Sequence, residues 1–294
     1  MRWQDMRRSD NVEEASGGGS PGMGGGMRLG GGAIVVVVVI SLLLGRNPLE
    51  LLALMGGDGG APSAPSQTTP YTPPSGAAPT PRDEQKEFVA KILGDTEDVW
   101  GSVFQQAGTR YQPPKLVVFN GQVGSACGLA SAAMGPFYCP ADSKVYLDTA
   151  FFQELSQRFG APGEFARAYV IAHEIGHHVQ NQLGLMDEIQ KKMSRASPEV
   201  RNAVSVRQEL QADCLAGVWG QSAAKRGLID TSDIESGIAA AGAVGDDRIQ
   251  KASRGVVSPE SFTHGSSAQR ARWFKIGLQS GDMRQCNTFG AREL

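Results

Sequence analysis

Histidine is scarce in this chain: only four occur among 294 residues, so the placing of three of them within six positions, at His173, His177 and His178, asks for a reason. Charge imbalance is also missing. A formal net charge of -2, a sequence pI of about 6.1 and the lack of any basic or acidic block exclude a nucleic-acid binder, which normally carries a basic face or tail. No Cys-x-x-Cys pair exists, which excludes a zinc ribbon. No internal repeat is visible, which excludes a solenoid. Uncharged apolar runs long enough to matter are limited to one, from Leu29 to Gly45.

That run, "LGGGAIVVVVVISLLLG", is close to the shortest length that crosses a bilayer core. "RNPLELLALM" follows it and offers no clear cleavage site, so an uncleaved signal anchor is expected in preference to a removed signal peptide or a buried run. Arg2, Arg7, Arg8 and Arg28 precede the run and only Arg46 lies close behind, which by the positive-inside rule places the N-terminus in the cytoplasm. The expected organisation is a disordered cytoplasmic tail over 1–28, a transmembrane anchor over 29–45, a Gly/Pro-rich linker over 46–82 and a globular domain over 83–294. The protein would then be single-pass in the bacterial inner membrane with its domain on the exported side.

Four cysteines, Cys127, Cys139, Cys214 and Cys286, suit export, because an even count in an oxidising compartment permits two disulfides. The short interval favours Cys127 with Cys139 and leaves Cys214 with Cys286; four buried free thiols are the alternative.

Within 83–294 the periodicity predicts a helix over 83–106, a strand at 115–120 and a strand-turn-strand over 136–148. Helices are then expected over 149–158, 163–183, 198–226, 232–250 and 267–280. Ser197 with Pro198, and Ser266 with Gln269, read as helix starts; Gly184, Gly227 and Gly281 read as stops. The fold class is α+β: a mostly helical domain with a small β-sheet, preceded by one transmembrane helix.

In "EFARAYVIAHEIGHHVQNQLG" the residues Phe165, Tyr169, Ala172, Gly176, Val179 and Leu183 form an apolar stripe. His173 and His177 lie one turn apart beside it and about 40° apart around the axis, so both rings reach one ion. His-Glu-x-x-His is the arrangement in which two histidines bind zinc and the glutamate, here Glu174, acts on a water at the metal. A chance match on a surface helix is the bland reading. His178, one residue on, points about 100° away and is expected to bond a neighbouring backbone group or carboxylate.

A catalytic zinc needs a third protein ligand, and "ELQAD" places Glu209 and Asp213 one turn apart on an otherwise apolar helix. Glu209 is the expected ligand, with Asp213 orienting a ligand imidazole; the alternative is a solvated face paired with Arg207. His264, ahead of a helix start, is the one histidine left to support a developing oxyanion, with Tyr138, Tyr169 or Arg270 as substitutes.

The blocks "MRWQDMRRSDNVEE", "GSACG", "GPFYCPAD", "AHEIGHHVQ", "RQELQADCLAG" and "THGSSAQR" resemble the bacterial neutral zinc metallopeptidases, membrane-anchored proteins related in their site to the gluzincins. The resemblance covers most of the chain. It implies a zincin-like fold, Zn2+ on His173, His177 and Glu209, Glu174 as general base, His264 in the site, and a protein or peptide substrate. The competing class is a membrane-tethered zinc-binding scaffold or inactive relative. It leaves Glu174 without a use, and a structural zinc would want a fourth protein ligand.

Overall fold

The protein was described from a computed structural model covering residues 1–15, 66–72, 80–131, 135–148 and 150–294. It is a mostly helical body carrying a five-stranded mixed sheet, consistent with the expected α+β class. The strands are β1 (Val12–Ala15), β2 (Thr68–Pro70), β3 (Lys115–Phe119), β4 (Gln122–Ser125), β5 (Gly128–Ser131), β6 (Phe137–Cys139) and β7 (Lys144–Asp148). The sheet runs β2-β1-β3-β7-β6, and β4 with β5 forms a separate hairpin. Strand β3 is apolar from Leu116 to Phe119 because both its faces are covered, with β1 and β7 parallel on either side.

The helices are α1 (Pro81–Gln106), α2 (Phe151–Gln157), α3 (Glu164–Gln182), α4 (Leu185–Met193), α5 (Pro198–Lys225), α6 (Thr231–Ala243), α7 (Asp246–Arg254) and α8 (Ser267–Ser280). Local chemistry sets several boundaries. Thr80 and Asp83 form a capping box around Pro81, Ser197 caps α5 through Val200 N–H, and Ser266 with Gln269 forms the capping box of α8. Helix α3 crosses the middle of the body, packed on α5, α6 and α1 and touching β6 and β7. Both expected disulfides, Cys127–Cys139 and Cys214–Cys286, are present. The second ties α5 to the C-terminal segment.

The expectation of a disordered tail over 1–28 is corrected for its first fifteen residues. Met6 and Val12 are buried, β1 is hydrogen-bonded on both sides, and Arg7 and Arg8, read from the sequence as a cytoplasmic flank, ion-pair with Glu97, Asp98 and Glu87 of α1. Arg7 carbonyl lies so close to Gly94 that a Cβ there would sit 2.2 Å from it, so α1 is notched to receive this segment. The linker expected over 46–82 is likewise corrected: Thr68–Pro70 form the edge strand and Tyr71 is buried. The domain therefore does not begin at 83. The apolar run at 29–45 lies outside the described residues, among which no helix is long and apolar enough to cross a membrane.

The remaining differences are smaller and local. The single helix expected over 232–250 is two, α6 and α7, broken at Gly245, whose backbone meets Ser267 so closely that a Cβ would lie 2.3 Å from Ser267 nitrogen. Helix α4 and the β4–β5 hairpin were not anticipated; α4 buries only Ile189, too weak an apolar face to register. Leu183, placed on the apolar stripe, is 45% exposed because it terminates α3.

Candidate metal centre and active site

The site is made where α3 crosses α5. Gly176 lets them meet: a Cβ there would stand 2.9 Å from Ala212 carbonyl oxygen, so any larger residue would push the helices apart. His173 and His177, one turn apart on α3, hold their rings 4.8 Å apart and nearly perpendicular. Glu209 on α5 brings one carboxylate oxygen to 3.2 Å from His173 Nε2 and the other to 3.4 Å from His177 Nε2. One ligand atom from each of the three residues lies within 4.8 Å of the others, so the group could hold a metal ion.

Each imidazole is fixed from behind. His173 Nδ1 is 2.9 Å from Asp213 Oδ1, and His177 Nδ1 is 2.9 Å from Gln180 Oε1. Both acceptors are oxygens, so the Nδ1 atoms donate and both Nε2 atoms turn toward Glu209. That is the orientation a metal requires, with Nε2 as the ligating nitrogen once its proton leaves. The donor set thus fits zinc: two imidazoles and a carboxylate, three protein ligands, one fewer than a closed structural site has.

Asp213 is wholly buried and serves four donors. Besides His173 it accepts from Tyr169 hydroxyl and, bidentately, from Arg270, whose Nε and a terminal nitrogen lie 2.8 and 2.9 Å away. Burial raises the Asp213 carboxyl, but Arg270 and His173 outweigh it and hold the group below the usual carboxylate range. Burial lowers His173; the charge and hydrogen bond of Asp213, with Glu209, outweigh this and push it up to about 10 in the metal-free chain. Glu209 is raised by burial yet held well below its ordinary value by His177 and His264. Arg207, the alternative partner considered for Glu209, instead donates to Thr288 and Ala291 carbonyls.

Glu174 is buried at 7% exposure and has no hydrogen-bond partner among the described residues. Burial raises its pKa, opposed by the charges of His173 and His177. Ile171, Ile175 and Val179, four residues apart along the same helix, are buried.

His178 faces away from the three donors. It donates from Nε2 to Gln112 carbonyl at 2.7 Å and accepts at Nδ1 from Tyr138 hydroxyl at 3.1 Å, tying α3 to β6. Tyr138, Tyr169 and Arg270, considered as oxyanion donors, are all committed to these two networks. His264 is not: only its Nδ1 is engaged, 3.2 Å from Asp246 Oδ1, and its charge is coupled to Glu209. Asp246 grips the whole turn, its Oδ2 accepting from the backbone N–H of Thr263, His264 and Gly265 at 2.7, 2.7 and 3.1 Å. Burial lowers His264, and the charges of Asp246 and Glu209 more than reverse that.

Sequence reasoning missed Asp246 and Gln180. Gln180 lay three residues past His177 on one helix face, a signal that was available; it also donates to Gln208 carbonyl and to Gln211, which in turn donates to Cys286 carbonyl. The second histidine is therefore steadied through to the Cys214–Cys286 disulfide. Asp246 gave no sequence signal, because its partners are 17 to 19 residues away across a turn.

Comparison with known proteins agrees with this chemistry. The chain is 47% identical over 293 residues to "Uncharacterized protein YpfJ" of Escherichia coli (strain K12), covering 99% of both chains. It is 48% identical over 195 residues to "Uncharacterized protein Mb2605" of Mycobacterium bovis, covering 63% of this chain and 65% of that one. No solved structure matches. Residues 1–289 match the family described as "Putative neutral zinc metallopeptidase", a match that begins with the N-terminal segment and runs through both helices of the candidate site. The chain belongs to that zinc metallopeptidase family.

Proposed function

We propose that this chain is a zinc-dependent peptidase that hydrolyses peptide bonds in a protein or peptide substrate. The observation that carries the reading is three convergent donors beside one buried carboxylate, Glu174, left without a partner. A closed structural zinc takes four protein ligands and has no use for a further carboxylate at its edge, whereas three ligands with Glu174 next to them is the set that a metal-activated water would need. A bound zinc would supply Lewis acidity, polarising the scissile carbonyl and making water a competent nucleophile near neutral pH.

The chain's own residues do the rest. Asp213 and Gln180 hold the imidazoles in the ligating tautomer. Glu174, its pKa raised by burial, takes a proton from the attacking water at Oε and returns it to the leaving nitrogen. His264, held through Nδ1, presents Nε2 to the carbonyl oxygen as that oxygen gains charge. The two disulfides fit an oxidising compartment, and the apolar run at 29–45 fits membrane attachment, so we place the peptidase domain on the exported side of the bacterial inner membrane.

Purified protein should carry about one zinc per chain and cleave an unfolded protein until a chelator is added. Glu174→Gln should keep the zinc while cleavage falls on the order of 10²- to 10⁴-fold. Full activity in that variant would remove Glu174 from the reaction and the reading with it.

A further inference from the structure

We infer that residues 1–15 lie on the same side of the membrane as the peptidase domain, so that no single crossing of the bilayer separates Ala15 from Thr68. The bilayer then meets the molecule at the β1–β2 end of the sheet. This inference rests on the membrane attachment proposed above. It replaces the single-pass arrangement that the arginine-rich start of the sequence suggests.

The sheet is what forces it. Ala15 and Thr68 are register partners on adjacent antiparallel strands, and neighbouring strands lie about 4.8 Å apart. The chain therefore leaves the sheet and returns to it at nearly the same point. A single crossing would separate those two points by a hydrocarbon core of about 30 Å. Two crossings by helices would need about 40 apolar residues, and the uncharged run is seventeen, from Leu29 to Gly45.

Nor is β1 a strand that can be withdrawn at little cost. It is interior, with β2 paired to it alone and β3 on its other side, so its removal strands β2 as well. Glu13 is buried between Lys115 and Lys144 and accepts from Thr68 hydroxyl; without it two lysines and an edge strand lose their shared partner. Glu14 is paired with Lys86. Glu97, itself buried, accepts from Arg7, Ser9 and Asn11. Upstream, Trp3 packs edge-on against Phe88 and donates to Glu164, the first residue of α3. Residues held across a membrane from the domain could make none of these contacts. Arg7 and Arg8 also lose their value as topology signals once their charges are paired within the fold.

The test uses the full chain in its host membrane. All four native cysteines are in disulfides, so an introduced cysteine is a unique label. Asp10, whose side chain is fully exposed, reports on the N-terminal segment, and Val256, 70% exposed, reports on the domain. Asp10→Cys and Val256→Cys, made separately, should react equally with a membrane-impermeant maleimide in sealed cells and be equally protected in inverted vesicles. In a third variant Glu14→Cys with Thr69→Cys, register partners in the sheet, should cross-link within the membrane-bound chain. Opposite labelling of the two single variants, with no cross-link in the third, would overturn the inference. Membrane attachment itself is read separately: a chain released by alkaline carbonate refutes attachment, while equal labelling of the two sites still upholds their common side.

Discussion

Replacing Asp213 by Asn separates the two tasks this residue performs. Asp213 is fully buried and accepts from His173, Tyr169 and both edges of Arg270, itself only 4% exposed. Removing its charge leaves a buried guanidinium with no carboxylate opposite it, facing only neutral oxygens: the new amide, Tyr169 hydroxyl and Val244 carbonyl. Breaking a buried pair in this way costs about 3–5 kcal/mol. The loss should appear as a lower urea midpoint with an unchanged slope. Independently, His173 loses the charged acceptor that fixes its tautomer, and outer partners of this kind are worth about 10- to 100-fold in metal affinity. Adding Arg270→Gln removes the orphaned charge, so the double variant should recover much of the stability while zinc affinity, measured by competition with a chelating dye, stays low. Recovery of both together would mean that Asp213 serves Arg270 alone and does not position His173. A stability loss below about 1 kcal/mol in the single variant would refute the buried ion pair.

Three further outcomes are expected. His173 in the metal-free chain is raised from 6.5 to about 10, so its contribution to stability is complete below pH 6.5 and is lost as pH climbs to about 10. Thermal melts of metal-free protein should fall across that window by up to a few kcal/mol, and calorimetry near neutral pH in buffers of different ionisation enthalpy should show about one proton released per zinc. His264→Ala should lower kcat on the order of 10²-fold with zinc content intact; Asp246→Asn should lower it by a smaller factor and add nothing in the His264→Ala background, whereas additive losses would separate the two residues. Replacing Cys214 and Cys286 by Ala opens a link across 72 residues, worth about 4 kcal/mol in the chain-entropy account, and should weaken zinc binding through Cys286 carbonyl, Gln211, Gln180 and His177; unchanged affinity would show that this chain of contacts carries no influence.

The metal helix was legible because its information is local. His173 and His177 share a face by the helical repeat alone, and Glu209 with Asp213 repeats the logic four residues apart on a second helix. The main helices and β3 were legible for the same reason, with caps at Ser197 and Ser266 where the sequence put them. What the sequence hid is non-local or short. Strand β1 is four residues, Val12–Ala15, two of them glutamates, with no run long enough for a period to show; its partner β3 lies about a hundred residues on.

Charge is where the reading from sequence alone and the fold part most sharply, because the sign of a residue is written in the sequence and its partner is not. Arg7 and Arg8 look like the basic flank of a membrane anchor until Glu97, Asp98 and Glu87 are found opposite them. Arg270, weighed from the sequence as an oxyanion donor, proves to be committed to Asp213 beneath it. Asp246 falls inside the single helix expected over 232–250, with nothing there to mark the three backbone N–H groups and His264 that converge on it. In each case the partner lies far away in the sequence, and only the fold reveals it. A charge taken out of water must find a specific partner, and in this chain the partners found are those that hold the sheet, fix the His173 ring and anchor the turn that carries His264.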